Sequence, residues 1–400
     1  MQPIRQQFSV PFTYEVRFTV GLFQSGNPLL ADALTEREGR RPVRTLFVIE
    51  DGGAAHHPTL VADIAAYAAT HRQKLDLVAD PMIVPGGEQA KNDPDLVRQI
   101  QQAIADYVIW RHSHVGAIGG GALLDLAGYA AATAHRCVRH IRVPTTVLAQ
   151  NDSGVGVKNG VNAFNSKNFL GTFAPPQAVL NDRLFLRTLD DRDWRGGISE
   201  AIKVALIKEA AFFDFIEREA HWLHPSVRAD EPMQELIYRC AEMHVEHISA
   251  YGDPFETGSS RPLDFGHWAA HKLEALTNYD VRHGEAVAIG ISLDCVYAHL
   301  AGYLAESDLE RILATFEVLG FDLFHEALLS RLDDPAHSDS LYQGLEALRE
   351  HLGGQLTYML LNSFGDAFEV HEMDHSVFVR SAQYLRERAL TKQNASNVSA

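Results

Sequence analysis

Ala117-Ile-Gly-Gly-Gly-Ala-Leu-Leu-Asp-Leu-Ala-Gly128 is the stretch on which the fold turns. It continues an apolar run, His114–Ile118, sets three glycines in a row at Gly119, Gly120 and Gly121, and places Asp125 just inside a helical pattern. Only glycine lets backbone amides approach a pyrophosphate closely, and a helix N-terminus offers the positive end of a dipole. The stretch therefore reads either as a dinucleotide-phosphate cradle or as a tight strand-to-helix turn that binds nothing. The spacing is not G-x-G-x-x-G, so the rest of the chain has to decide.

Working outward, strands and helices alternate. Residues 8–22 alternate apolar and polar, the period of a strand or hairpin. Arg44-Thr-Leu-Phe-Val-Ile-Glu-Asp51 reads as a buried strand that delivers Asp51 to its C-terminal end, where α/β sheets collect ligands. Helical patterns over about 59–68 and 95–110 flank a short strand at Met82 and the glycine pair Gly86-Gly87. This order predicts a mainly parallel sheet with helices on both faces. Beyond Gly196 the pattern becomes helical: 198–219, 231–248, 263–277, 285–300 and 309–319. The expected organisation is an α/β domain over 1–195, a mainly helical domain over 196–390 with the boundary near Asp193–Gly197, and a disordered tail over 391–400.

Composition narrows the function. A formal net charge of −17 disfavours a nucleic-acid partner, though a local basic pocket for a small anion remains open. Three cysteines with no C-x-x-C pair fit a reducing compartment, and the N-terminus carries no apolar leader. No run of about 20 apolar residues could span a bilayer. The expectation is a cytoplasmic enzyme.

Three constellations carry chemistry. His267 and His271 lie four apart on one helical face, and His283 opens the next helix. Such a trio suits a divalent metal. His244 and His247 form a competing pair, so histidine count alone does not name the ligands. Glu200 shares a helical face with Lys203, as a third ligand or as an ordinary surface ion pair. Finally, Val143–Asn168 runs from paired threonines (Thr145, Thr146) through Asp152 to Lys158 and Lys167 in a glycine- and asparagine-rich loop. Lysines so placed in an acidic chain suit an anion or proton transfer.

Taken together, Gly86-Gly-Glu-Gln-Ala-Lys91, the Gly119 run, Val143-Pro-Thr-Thr, Asp152, Lys158, Lys167-Asn168, Glu200-Ala-Ile-Lys203, Gly266-His267 and His283-Gly-Glu285 resemble the sugar phosphate cyclases, of which 3-dehydroquinate synthase is best known. The resemblance runs from about residue 47 to 374. It implies a Rossmann-like NAD-binding α/β domain, a helical metal-binding domain and a homodimer. Glu200, His267 and His283 would hold the metal, Zn2+ or alternatively Co2+. NAD would contact Asp51, Glu88, Lys91, the three glycines, Asp125, Thr145, Thr146, Asp152 and Lys167. Substrate would be held by Arg136, Asp152, Lys158, Asn168, Lys203, Asp264, His271 and His351, with Lys158, Lys203, Asp152 and His271 taking catalytic roles. The implied reaction is transient oxidation by NAD, β-elimination of phosphate, re-reduction, ring opening and intramolecular aldol closure.

Departures from the family pattern point to the substrate. The arginine that grips a carboxylate in dehydroquinate synthases is Ser260 here, with Arg261-Pro262 one residue late. The family's asparagine is Asp264, a family lysine is replaced by His244, and His351 lies nearest the missing C-terminal lysine. Fewer cations and an added acid imply a substrate without a carboxyl group. Within the family that is sedoheptulose 7-phosphate, cyclised to a valiolone-type cyclitol. Retention of His271 and Glu285 favours 2-epi-valiolone over 2-epi-5-epi-valiolone. The alternatives are a 3-dehydroquinate synthase acting on the carboxylated heptulosonate 7-phosphate and a metal-dependent alcohol or glycerol dehydrogenase.

Overall fold

A computed structural model describes residues 3–36, 42–164, 166–250 and 262–399; the side chains at 262, 351 and 395–399 fall outside that description. The chain divides into two compact units, Met1–Thr145 with Gly154–Thr188, and Thr146–Ser153 with Leu189–Ala400.

The first unit is an α/β layer structure. Its strands are β1 (Glu15–Thr19), β2 (Val43–Glu50), β3 (Leu75–Leu77), β4 (Met82–Val84), β5 (His114–Gly119), β6 (Arg139–Pro144), β7 (Lys158–Ala163), β8 (Ser166–Phe173) and β9 (Ala178–Asp182). Its helices are α1 (Leu29–Thr35), α2 (Asp51–His56), α3 (Leu60–Thr70), α4 (Pro94–Asp106) and α5 (Gly121–Thr133). Seven strands form one sheet in the order β1-β9-β6-β5-β2-β3, with β4 also on β2, and every pairing is parallel. The near-continuous apolar run of β2 follows from burial on both faces, as central parallel strands require; Leu46, Phe47, Val48 and Ile49 are sealed from solvent. The C-terminal ends of β2, β4, β5 and β6 therefore present Glu50-Asp51, Gly86-Gly87, Gly119–Gly121 and Thr145 on one edge of the sheet.

Lys158 and Lys167, expected in a loop, lie instead on the antiparallel hairpin β7–β8. Arg142, fully buried on β6, organises it by donating to the carbonyls of Gly154 and Gly156 (3.0 Å each), to the Lys158 carbonyl (2.7 Å) and to Asn159 Oδ1 (2.7 Å). Four of the five N–H donors of this buried guanidinium are thereby satisfied, and, among the described residues, the Nε–H is not. Gly128 of α5 lies directly beneath, where a Cβ would stand 1.9 Å from Asn159 Oδ1.

The second unit holds α6 (Asp191–Lys208), α7 (Ala210–Leu223), α8 (Asp230–Ala250), α9 (His267–Leu276), α10 (His283–Leu300), α11 (Glu306–Val318), α12 (Gln343–His351), α13 (His375–Ser399) and a hairpin, β10 (Tyr358–Ser363) with β11 (Asp366–Val370). Helix α10 is apolar on all sides and buried from Ala286 to Ala298, the pattern of a central helix. Its approach to α6 is set by glycine. A Cβ on Gly284 would sit 2.1 Å from the Gly196 carbonyl oxygen and 2.5 Å from its Cα. The two backbones touch, and this contact brings His283, beside Gly284, to Glu200, one turn beyond Gly196. Gly284→Val should cost about 3 kcal/mol by overpacking and weaken metal binding with it. Urea denaturation and metal titration read both; an unchanged midpoint would contradict the close approach.

Four further expectations change. The strand expected within 8–22 is confined to β1, because its partner β9 has five residues to pair with. The helix expected over 198–219 is two helices broken at Glu209, whose backbone is extended (φ −150°, ψ 99°). The turn of the β10–β11 hairpin packs at that break, and Gly365 N donates to the Leu206 carbonyl (2.7 Å), so the interruption has a tertiary cause. The boundary expected at 195/196 falls inside continuous α6; the division comes at 188/189, and 146–153 counts with the helical unit. Over 391–399, where a disordered tail was expected, α13 continues. No Gly or Pro interrupts Leu390–Ser399, so nothing local ends it.

Candidate metal centre and nucleotide cradle

In the first unit, two carboxylates tie the strand ends together. Glu50 Oε1 accepts from Gly87 N (3.0 Å) and its Oε2 from Gly120 N (2.7 Å), while Asp51 Oδ1 accepts from Gly86 N (3.1 Å). Glu50 also leaves no room at Gly86, where a Cβ would lie 2.0 Å from Oε1. Gly87, at φ +74°, faces open space instead. The two carboxylates thus take up the amides of Gly86, Gly87 and Gly120 and pin the turns, and the place for a dinucleotide pyrophosphate is the head of the 13-residue helix α5, which starts at Gly121. Lys91 is buried and donates to Asp125 Oδ2 (2.9 Å) and to Asn168 Oδ1. Asn162 Oδ1 accepts from Asn168 N (2.8 Å), and Asn162 Nδ2 donates to Glu88 Oε1 (3.2 Å). Glu88, Lys91, Asp125 and Asn168 are thus one network joining β8, α5 and the turn after β4. The Thr145 amide donates to the Gly119 carbonyl (3.1 Å).

In the second unit, Glu200, His267 and His283 converge, with ligand atoms all within 4.8 Å of one another. The Nε2 atoms of His267 and His283 each lie 3.3 Å from Glu200 Oε1. Nitrogen and oxygen ligands at about 2.0–2.1 Å from a tetrahedral Zn2+ stand ~3.3 Å apart, so the spacing fits an ion. Both ring Nδ1 atoms point away, His267 to the Phe265 carbonyl (3.2 Å) and His283 to Glu274 Oε2 (3.2 Å). Those partners leave the Nε2 lone pairs facing the centre. Glu200 is wholly buried, and neither carboxylate oxygen makes a hydrogen bond of good geometry. Lys203 already stands against its Oε2, and Oε1, which both Nε2 atoms face, is where a metal cation would complete the set.

Family models for the 3-dehydroquinate synthase N-terminal and C-terminal domains match residues 81–196 and 197–345. The chain belongs to the 3-dehydroquinate synthase family of sugar phosphate cyclases. It is 31% identical to the 2-epi-5-epi-valiolone synthase of Streptomyces hygroscopicus subsp. jinggangensis, over 94% of this chain and 88% of that one. It is 34% identical to the 3-dehydroquinate synthase of Halorhodospira halophila, over 80% and 89%. The solved structure of the Streptomyces enzyme, with NAD+ and Zn2+ bound, superposes with a TM-score of 0.84 at 30% identity, over 96% of this chain and 100% of that one.

Several more of the expected residues meet in the second unit beside the three candidate ligands. Lys203 contacts Glu200 and is likewise buried. Burial would lower its ammonium, but Glu200, Asp152 and Asp264 outweigh that and raise it. Burial would raise the Glu200 carboxyl; Lys203 and His267 reverse this and hold it well below the usual carboxylate range. Asp152, on the turn Ala149–Ser153, accepts from His244 Nδ1 at 2.8 Å. Burial and Glu200 push its carboxyl up, and His244 and Lys203 hold it below the ordinary value. Glu200, Lys203, Asp152 and His244 thus form one interacting row, the two carboxylates separated by the Lys203 ammonium and His244 hydrogen-bonded at the end. The competing pair resolves: His244 serves Asp152, and His247 Nδ1 lies 3.0 Å from Lys208 Nζ. His271, exposed one turn past His267, stacks its ring on His283 (centroids 5.8 Å) and joins Glu274 and His283 in a second cluster of potential ligands.

Other expected residues lie elsewhere. Lys158 is exposed at the start of β7, and Lys167 lies on β8. Arg136 follows α5 at the opposite edge of the sheet, about 18 Å along that helix from the glycine turn, because α5 runs back antiparallel to the strands; its own chain does not bring it to the cradle. Glu285 has a structural task, bonding Arg192 and Arg195 of α6 (2.5–3.0 Å) and capping α10. Ser260 and Arg261, and the side chain of His351, lie outside the described residues. Sequence reasoning missed Glu50, Asn162, Arg142 and Glu274. A carboxylate ending a strand before a Gly-Gly pair was a readable signal for Glu50; the others had none.

Proposed function

We propose that the protein is a sedoheptulose 7-phosphate cyclase, binding NAD and a divalent metal and releasing phosphate as it forms a valiolone-type C7 cyclitol, 2-epi-valiolone in the finer reading. Family membership and a relative with NAD+ and Zn2+ bound support the cofactors. NAD+ when bound supplies a reversible hydride acceptor, and the metal a Lewis acid for a ring hydroxyl. The chain's own residues do the rest. The head of α5, at the turn that Glu50 pins through Gly87 and Gly120, holds the pyrophosphate. Glu200, His267 and His283 hold the metal. Lys203 keeps its proton and stands as a fixed cation, and Asp152, ionised, orients His244 through its Nδ1–H. Lys158, its backbone carbonyl held by Arg142, is the ammonium assigned to the phosphate.

The observation that carries the substrate choice is the charge around Lys203. Glu200, Asp152 and Asp264 all act on it, so its charge is already spent within the protein. At the neighbouring family lysine position stands His244, engaged by Asp152. A substrate carboxylate would meet Asp264 instead of a compensating cation. Losing one charge-assisted hydrogen bond costs about 1.5–3 kcal/mol, roughly ten- to a hundredfold in affinity. The specificity constant for sedoheptulose 7-phosphate should therefore exceed that for the carboxylated heptulosonate 7-phosphate, and Asp264→Asn should narrow the gap. A higher constant for the carboxylated sugar in the unmodified enzyme would refute the proposal. Extended to assembly and location, the reading is a homodimer in a reducing cytoplasm, in keeping with three unbridged cysteines and with no helix, among the described residues, long and apolar enough to cross a membrane.

A further inference from the structure

We propose that Asp294 is a positioning residue that fixes His267 for metal binding by clamping the residues on either side of it; this rests on the metal centre proposed above. Asp294 lies on α10, is 1% exposed, and belongs to none of the constellations already described. Its Oδ2 accepts from Gly266 N (3.1 Å) and its Oδ1 from Trp268 Nε1 (2.9 Å). One carboxylate thus spans both neighbours of His267, the first residue of α9.

The backbone leaves this clamp little slack. Gly266 caps α9 at φ +76°, and a Cβ there would meet Ile291 N at 2.8 Å; a Cβ on Gly290 would meet the Gly266 carbonyl oxygen at 2.1 Å. The head of α9 rests directly on α10, one turn before Asp294. Trp268 is 3% exposed, so its indole N–H has a single buried direction to satisfy. With both flanking residues held and His267 Nδ1 on the Phe265 carbonyl, the ring has one orientation, Nε2 toward Glu200. Burial pushes the Asp294 carboxyl up to about 7, against the two hydrogen bonds that lower it. An apolar side chain would fill that space without such a cost, so the acid's presence asks for a function. Holding a metal ligand is the one its contacts supply, since partners behind ligands govern affinity.

The test uses the full chain as Asp294→Ala and Asp294→Asn. Zn2+ affinity by chelator competition should fall about 10- to 100-fold in Asp294→Ala, and less in Asp294→Asn, which keeps one acceptor oxygen. The visible spectrum of the Co2+-loaded protein should shift in both, which mere loss of packing would not cause while NAD affinity and circular dichroism stay at wild-type values. A folded Asp294→Ala with wild-type Zn2+ affinity and an unshifted Co2+ spectrum overturns the inference. If that variant does not fold, the same result in Asp294→Asn overturns it. Should the wild type bind no Zn2+, or should Glu200→Ala leave its affinity unchanged, the metal centre itself has failed and this inference with it.

Discussion

Glu200→Gln should bind no stoichiometric Zn2+ and lose on the order of 10³-fold in phosphate release, while still binding NAD. The size follows from the site. Both histidine Nε2 atoms lie 3.3 Å from one Glu200 oxygen, so this carboxylate is the vertex the two ligands share. An amide is neutral and a far weaker metal ligand than a carboxylate, and its N–H can instead tie up a histidine Nε2 lone pair that the metal needs. A bound metal contributes several kcal/mol to a polarised oxygen, and each 1.36 kcal/mol is tenfold in rate. NAD affinity should survive because the cradle belongs to the first unit. Metal content by mass spectrometry and phosphate release by a coupled assay decide it. A variant that keeps one Zn2+ per chain would sink the assignment.

Lys203→Met should unfold more easily by about 3–5 kcal/mol, since removing one partner leaves buried charge uncompensated. Its pH dependence should also invert. In the wild type, metal-free, Glu200 is held well below its unfolded value of 4.5, so its stabilisation is present above that value and lost as pH falls through the depressed folded value. Without Lys203, burial dominates and the folded carboxyl rises above 4.5. The variant then binds more protons folded than unfolded and gains stability as pH falls from 7 toward 4.5. Urea midpoints of the metal-free proteins across that range test the sign. Parallel slopes for the two proteins would show that Lys203 does not govern Glu200.

Much of this was written locally. The Gly119 run, the apolar β2 and the spacing of His267 and His283 each announce themselves, because tight turns, buried parallel strands and helical ligand pairs restrict residue type at fixed intervals. What stayed hidden acts across the fold. Arg142 looks like any strand arginine until four carbonyl and amide oxygens close on it. Glu274 and Asp294 read as ordinary helical acids, and nothing in a linear pattern says which histidine, or which histidine's neighbours, they will face. The break at Glu209 was equally silent, since the hairpin that imposes it lies some 150 residues downstream. Arg136 shows the converse: a residue that the resemblance put at the substrate is carried by α5 to the far edge of the sheet.

The most direct measurement supplies the protein with sedoheptulose 7-phosphate, catalytic NAD+ and Zn2+, and follows phosphate, NADH and the carbon skeleton together. The account predicts one phosphate released per sugar consumed, no accumulation of NADH, and a dephosphorylated C7 cyclitol by NMR. Accumulating NADH without phosphate would mark a dehydrogenase instead. No phosphate from this sugar alongside turnover of the carboxylated one would contradict the account at its centre.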